Sequence, residues 1–490
     1  LQPGPIYAFG GFQLDEGARR LALGNEPVAL PDRHIDILLL LVSRHGQIVS
    51  KDELIEAAWK DVAVGDNSLE QAISSLRRKL GTAPDGSSYI ETVARRGYRF
   101  IAPVARSVPR QSDAELEALL APFRMFVEGR AAIETLAEDA VARARDAFSE
   151  VVAASPDYAP GHLGLANALA LSFDATRSDD RPDIQALLSA VSHAREACRL
   201  DAGYGETWAT LAFVLSRTGA ATEAVAAGRR AISLEPDNWR HYMRLAYASW
   251  GEERLRAADH AVKLLPGLAL AHWLAATVHV ARQSFDEATR ELSAGTAAQD
   301  HQQEGGRFGA VGLHLLHGLV CLARGDSATA EAEFARELSF EPAGHIYTRQ
   351  ACANTWLAIG AIRLRQAQPA EAATAFERTL ERVPGHPLAL AAMSVVGGDE
   401  RRGPAKTRLD ARLAQLRTYG ASVEAAMTSA VSEALAGRHA AAAGLVHAAL
   451  QATPAGTSKG WTLPIEPLLH VSTHATDWDD VLALLRTRAA

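Results

Sequence analysis

The sequence predicts an α+β domain over residues 1–105, followed by an all-α solenoid that runs to the end of the chain. Three observations predict this division. Residues 7–30 alternate apolar and polar side chains between turn residues, the period of short half-buried strands. Residues 68–100 read as a helix, a loop and a hairpin: SLEQAISSLRRKL, GTAPDGSS, YIETVARRGYRF. Beyond residue 113 the composition turns to long Ala-rich amphipathic stretches that resemble one another.

Residues 7–30 hold three or four antiparallel strands, with Gly24 and Asn25 in a hairpin turn. Pro31 and Asp32 open a helix whose core face is Ile35, Leu38, Leu39 and Val42, and Gly46 ends it. Ser50 and Glu53 form a capping box that starts a second helix through Trp59. Residues 60–67 lead to a third helix, 68–80. There Leu69, Ile73, Leu76 and Leu80 make one narrow apolar stripe at 100° per residue. The opposite face carries Gln71, Ser74, Ser75 and Arg78, with Arg77 and Lys79 on the flanks. Small, hydrogen-bonding and cationic side chains are what a helix needs to enter a DNA major groove. Ser68 with Gln71 makes another capping box, so for Gln71 a capping role competes with base reading. The hairpin 89–101 carries Arg95, Arg96 and Gly97 at its tip, with Gly97 supplying positive φ. Both arginines can reach backbone phosphates or a narrow minor groove.

Ile73-x-x-Leu76-Arg77-Arg78-Lys79-Leu80 and Thr92-Val93-x-x-x-Gly97-Tyr98-Arg99-Phe100, with GQIVSKDEL and Trp59 upstream, resemble an OmpR/PhoB-type winged-helix domain. The resemblance covers roughly the first 104 residues. It implies a winged helix-turn-helix fold in which helix 68–80 reads the major groove and hairpin 89–101 is the wing. The residues it implicates in binding double-stranded DNA are Gln71, Ser74, Ser75, Arg77, Arg78, Thr92, Arg95 and Arg96. In relatives the loop matching 60–67 can contact RNA polymerase. Here its charged candidates are only Lys60, Asp61 and Asp66, and a plain connector is the preferred reading. Many family members carry arginine at the positions of Ser74 and Ser75. Losing two phosphate contacts would shrink the salt slope by about two units. A homodimer on DNA, or tandem sites, would offset that loss.

Residues 106–113 (RSVPRQSD) are polar, contain proline and read as a linker. From residue 114 helical hairpins recur. Trp356, Ile359, Gly360, Ala372, Phe376 and Pro384 resemble the tetratricopeptide pattern closely. Trp208, Leu211, Ala224 and Pro236 match it less fully; His314, Gly318, Ala330, Phe334 and Pro342 match in part. We expect about eight hairpins. They form an array over 114–396 and a continuation over 397–490, divided by a loop at 397–408 (GGDERRGPAKTR). Residues 174–183, 298–307 and 454–464 are further polar breaks. Trp208, Tyr242, Trp273 and Trp356 recur along the repeats and read as knobs between helices in preference to a ligand cage.

Composition narrows the function. The chain is 48% hydrophobic and 22% charged, enough for large cores, and its net charge of −8 excludes a protein basic overall. Residues 1–104 hold 12 Lys and Arg against 13 Asp and Glu, so cationic character is local. Arg77, Arg78, Lys79, Arg95, Arg96 and Arg99 face only Asp85 and Glu91 within their stretch. That is the footprint of a DNA-binding module; the plainer reading is a set of solvated arginines. Cys198, Cys321 and Cys352 are far apart and odd in number, which fits buried thiols in a reducing compartment. No apolar run reaches the roughly 18 residues of a membrane span, so we expect a cytoplasmic protein with no membrane partner. A first residue of Leu is compatible with a missing native start, and no receiver domain is expected before the strands.

Phosphate-loop, zinc-protease and nucleophile-elbow motifs are absent, so neither an enzyme nor a cofactor is expected. His314 and His317 lie one helical turn apart, but no third ligand has metal-site spacing, and core positions are the preferred reading. The layout is similar to HilA-like bacterial activators. The expectation is a sequence-specific transcriptional regulator that activates, with an array binding a protein, peptide or small effector. The alternative is a tetratricopeptide scaffold whose winged helix does not bind DNA specifically.

Overall fold

A computed structural model describes residues 4–24, 26–59, 66–83, 86–107, 113–303 and 309–490. The chain divides into two compact units, Leu1–Leu119 and Leu120–Ala490.

In order, the first unit contains β1 (Ile6–Phe9), β2 (Phe12–Asp15), β3 (Arg20–Leu23), β4 (Glu26–Val28), α1 (Asp32–Ser43), β5 (Ile48–Val49), α2 (Lys51–Ala58), α3 (Asp66–Leu80), β6 (Ile90–Val93), β7 (Gly97–Phe100) and β8 (Ala105–Ser107). One antiparallel sheet has the order β4-β3-β2-β1-β8, and a second, β5-β7-β6, forms the wing. The alternation in the first strands is real: Tyr7, Phe9, Phe12, Leu14 and Leu21 are buried. The Phe9 ring meets Phe100 of the wing edge-on at 4.9 Å, which ties the two sheets into one core. Helix α1 buries Ile35, Ile37, Leu38, Leu41 and Val42, so its face is rotated from the expected one and Leu39 is only half-buried. The Ser50–Glu53 capping box at α2 is formed reciprocally.

Two boundaries differ from the sequence reading. Helix α3 begins at Asp66, so Ser68 lies inside its first turn and no capping box engages Gln71. By residue type Asp and Asn are as favourable at a helix start as Ser. Residues 60–65, most of the loop considered for RNA polymerase, lie outside the described residues. The expected linker 106–113 starts as strand: Arg106 pairs with Tyr7 and Ser107 with Ile6. The open edge of β1 presents unpaired backbone groups, and the chain satisfies them before leaving the domain. Residues 108–112 lie outside the described residues.

From Asp113 on the chain is helical, with nineteen α-helices from Asp113–Glu134 to Ala475–Ala489 among the described residues. Eight successive pairs run from Ala159–Thr176 with Ile184–Leu200 to Ser422–Leu435 with His439–Gln451. The repeat positions explain the pairing. A Cβ on Gly360 would stand 2.4 Å from the Phe376 ring, and one on Gly318 would stand 2.5 Å from Phe334. Both rings are fully buried, lying directly on the partner backbone where glycine lacks a side chain.

The expected loop at 397–408 is instead the start of a 20-residue helix, Asp399–Thr418, with Pro404 inside it. Glycine and proline disfavour helix there by local propensity. Burial of Ala405, Leu409 and Leu416, with Arg408 donating to the Pro384 carbonyl, overrides that preference. The helix Phe285–Gln303 likewise extends into the break expected at 298–307. The three cysteines are buried and free. Among the described residues no helix is long and apolar enough to cross a membrane.

Candidate nucleic-acid interface

The roll of α3 is set by Leu69, Ile73, Leu76 and Leu80, all buried in the first core. Gln71, Ser74, Ser75 and Arg78 follow one another at helical spacing on the other side. Gln71, Ser74 and Arg78 are exposed and Ser75 is half-buried. Arg78 and the neighbouring exposed Lys79 make no ion pair among the described residues.

Arg77 behaves differently from Arg78. Its Nε donates to the Ile90 carbonyl at 2.9 Å, and its Nη2 donates to Thr92 Oγ1 at 2.7 Å. It therefore bolts α3 to β6 and sets the angle between helix and wing. Arg77 and Thr92 are brought together as a structural pair, while the Thr92 hydroxyl keeps its own proton to donate outward.

At the wing tip Arg95 and Arg96 are exposed on a three-residue turn, closed by the Arg96 amide donating to the Val93 carbonyl at 3.0 Å. Arg95 itself takes a left-handed φ of 63°, so Gly97 is not alone in supplying the turn. Gly97 has φ 133°, and its requirement is packing: a Cβ there would stand 2.0 Å from the Val49 carbonyl oxygen of β5. One step along the hairpin Arg99 pairs with Glu91 at 2.5 Å. Lys51 pairs with Glu70 at 3.1 Å and Arg44 with Glu53 at 2.7 Å. Hydrogen bonds from the Ser50 hydroxyl and amide, then Arg44, hold the Glu53 carboxyl at about 2. Among the described residues Glu53, Glu70 and Glu91 are thus engaged, and Arg78, Lys79, Arg95 and Arg96 stand as exposed cations.

In the array, tertiary structure supplies partners that spacing does not reveal. Glu333 reaches both His314 Nδ1, at 2.6 Å, and His317 Nδ1, at 3.1 Å, and Asp300 meets His314 Nε2 at 3.2 Å. Burial opposes ionisation of Glu333, but the hydrogen bond from His314 and the charge of His317 beside it bring it to about 2. Cys321 and the Glu333 carboxylate beside it raise His317 to about 9. Asp174, in a segment read as a polar break, is buried. Its carboxylate meets the Arg217 guanidinium and the Tyr347 hydroxyl, each at 2.6 Å. Local sequence carries no signal for that site, because its partners come from distant repeats.

Residues 25–100 match the family model described as "Transcriptional regulatory protein, C terminal", and the domain is of OmpR/PhoB type. The chain is 34% identical over 156 residues to the cholera toxin homolog transcriptional activator of Vibrio parahaemolyticus, covering 30% of this chain and 53% of that protein. It is 34% identical over 120 residues to the transcriptional regulator HilA of Salmonella typhimurium, covering 24% of this chain and 21% of that protein. Among solved structures it is similar to the RstA DNA-binding domain of Klebsiella pneumoniae in complex with RstA box. That likeness has 35% identity and a TM-score of 0.18, over 20% of this chain and 96% of that one. The chain thus spans about half the length of the first relative and about a fifth of the second.

Proposed function

We propose that the protein is a transcriptional regulator that binds double-stranded DNA sequence-specifically through α3 and the wing. The observation that carries this reading is the row Gln71, Ser74, Ser75 and Arg78 on the outer side of α3, beside exposed Arg95 and Arg96. Arg78 suits a guanine edge and Gln71 an adenine edge, since both can make bidentate contacts. Ser74, Ser75 and Thr92 suit phosphates, and the wing arginines suit backbone or a narrow minor groove. Arg77 acts by holding the wing in place. Activation is the proposed sign, because the similar proteins are named as activators. A DNA ligand and three buried free thiols favour the cytoplasm. A homodimer on DNA is part of the proposal, since serines stand at two positions, Ser74 and Ser75, where the family resemblance implies cations. The array then receives an effector, peptide or protein, and contact of loop 60–67 with RNA polymerase belongs to the same proposal.

The test is selection from a pool of random duplexes at fixed salt with the full chain. One motif with a repeated half-site should be enriched. Arg78→Ala should weaken specific binding by ~1–3 kcal/mol and relax preference at one base pair. Joint replacement of Arg95 and Arg96 by Ala should weaken all sequences alike and flatten the salt dependence by up to about two phosphate contacts. If no sequence is enriched, the scaffold reading takes its place.

A further inference from the structure

The array closes on itself. Its last helix, Ala475–Ala489, returns to earlier repeats: the Ala489 carbonyl accepts from Arg282 Nε at 2.8 Å, and Arg486 donates to Gln283 Oε1 at 2.9 Å. On another side the segment 174–183 is strapped to late repeats. Arg349 pairs with Asp179 at 2.6 Å and donates to the Ala175 carbonyl at 2.7 Å, and Arg412 donates to the Asp179 carbonyl at 3.3 Å. Within the array the strap and the repeats it meets border a half-open cavity of about 530 Å³, a size that suits a small molecule.

Most of its wall is apolar, including Leu315, Leu316, Leu319 and Ile465, with Trp273 and Trp461 edge-to-face at 5.7 Å. Polar groups gather at His386, Asn354 and Arg412. His386 Nδ1 accepts from the Ala389 amide at 3.3 Å, so Nε2 carries the proton and donates to Asn354 Oδ1 at 2.8 Å. Gln350 Nε2 donates to the same oxygen at 2.9 Å. With that oxygen doubly engaged, Asn354 turns its amide N–H groups elsewhere as donors. Burial, then the Arg412 charge, keeps His386 neutral, with a pKa of about 4.

Arg412 is only 9% exposed and forms no ion pair among the described residues. One nitrogen serves the Asp179 carbonyl and Gln415, while its Nε is buried without an acceptor. The nearby Asp179 is taken by Arg349, and Asp180, near Gly385, forms no ion pair among the described residues. Elsewhere around the cavity Asp174 is neutralised by Arg217 and Glu424 by Lys459 at 3.1 Å. Burial raises Glu466 to about 7, so it carries only part of a charge near neutrality. A buried cation with an unused N–H, beside free amide donors and an apolar chamber, calls for an anion with an apolar body.

We propose that the cavity binds an amphipathic monocarboxylate, its carboxylate held by Arg412 and Asn354 and its apolar body lying along Leu315, Leu316, Leu319 and the tryptophan pair. This deepens the effector role given to the array above. Binding is measured on the full chain without DNA, so its failure and failure of DNA selection are separate results.

The experiment is isothermal titration calorimetry with dodecanoate and naphthaleneacetate, against dodecanol and dodecyltrimethylammonium, below their micelle concentrations. At least one carboxylate should bind at one site per chain. When dodecanoate is the carboxylate that binds, dodecanol should bind at least tenfold more weakly and the ammonium without detectable heat. Arg412→Gln should lower carboxylate affinity at least tenfold. Because Arg412 also holds the 174–183 strap, Leu319→Trp is the second variant: it fills the chamber, and should abolish binding while the helical melting transition stays. Failure of both carboxylates to bind, tighter binding of the ammonium, or carboxylate binding that survives Leu319→Trp would overturn the proposal.

Discussion

The two units keep their charges in opposite places. In the first, Arg78, Arg95 and Arg96 stand in solvent. In the second, Asp174, Arg217 and Arg412 are withdrawn from it. An exposed cation contributes little to folding and is available for a ligand at once. A buried charge must be answered inside the protein, so removing its partner is felt as lost stability. The comparison teaches that substitutions in the first unit should register mainly in binding, and those in the second mainly in folding, unless they touch a packing contact.

The largest effect should come from Asp174→Ala. It strands Arg217 in a buried site and takes the acceptor from Tyr347, at a cost of ~3–5 kcal/mol. Differential scanning calorimetry should show the array transition falling while the winged-helix transition stays; an unmoved array transition would break the contrast. Gly97→Ala comes next, because it breaks the rule for the first unit. A Cβ 2.0 Å from the Val49 oxygen, at φ 133°, should cost about 2–3 kcal/mol and weaken DNA binding by displacing the wing. Thermal melting of the first unit and a mobility-shift titration read the two consequences separately.

Arg77→Ala sharpens the comparison within one helix. Losing two partly exposed hydrogen bonds should cost about 1–2 kcal/mol of folding and weaken every DNA sequence alike. Relaxed preference at a single base pair would instead make Arg77 a base reader. The smallest effect is the pH response of the His317–Glu333 contact. His317 is raised to about 9, so its contribution is full below its unfolded value and fades as pH climbs through about 9. Glu333 is lowered to about 2, so its contribution is full above its unfolded value and fades as pH falls through about 2. The two describe one contact, of order ~1 kcal/mol. Glu333→Gln should remove the alkaline part of the array's melting-temperature decline; an identical pH profile in wild type and variant would refute the assignment.

Much of both units was legible in local pattern. Alternation marked the first strands. A 100° stripe fixed which side of α3 faces out, and recurring glycine and aromatic positions marked the helix pairs. These signals are short-range: each depends on residues within one or two turns or strands of one another. For the same reason the amino-acid pattern alone names the outward row on α3, since a helix that buries four residues leaves the others no choice of side.

What required tertiary structure was every feature whose partners lie far along the chain. Arg77 reads as another DNA cation in isolation, and becomes a strut only because β6 comes within its reach. Gly97 reads as a turn residue, and becomes a packing requirement only because the β5 carbonyl lies against it. The glycine- and proline-rich stretch at 397–408 is helix from Asp399 on because Ala405 and Leu409 are buried in one core with Phe376, Leu390 and Val423 of the neighbouring helices. The cavity takes its wall from segments as far apart as Asp174, Trp273, Asn354 and Ile465. Local propensity is worth a few tenths to about one kcal/mol per residue, whereas burial of a Leu side chain contributes ~1.5–3 kcal/mol. Where the two disagreed, long-range burial decided the outcome.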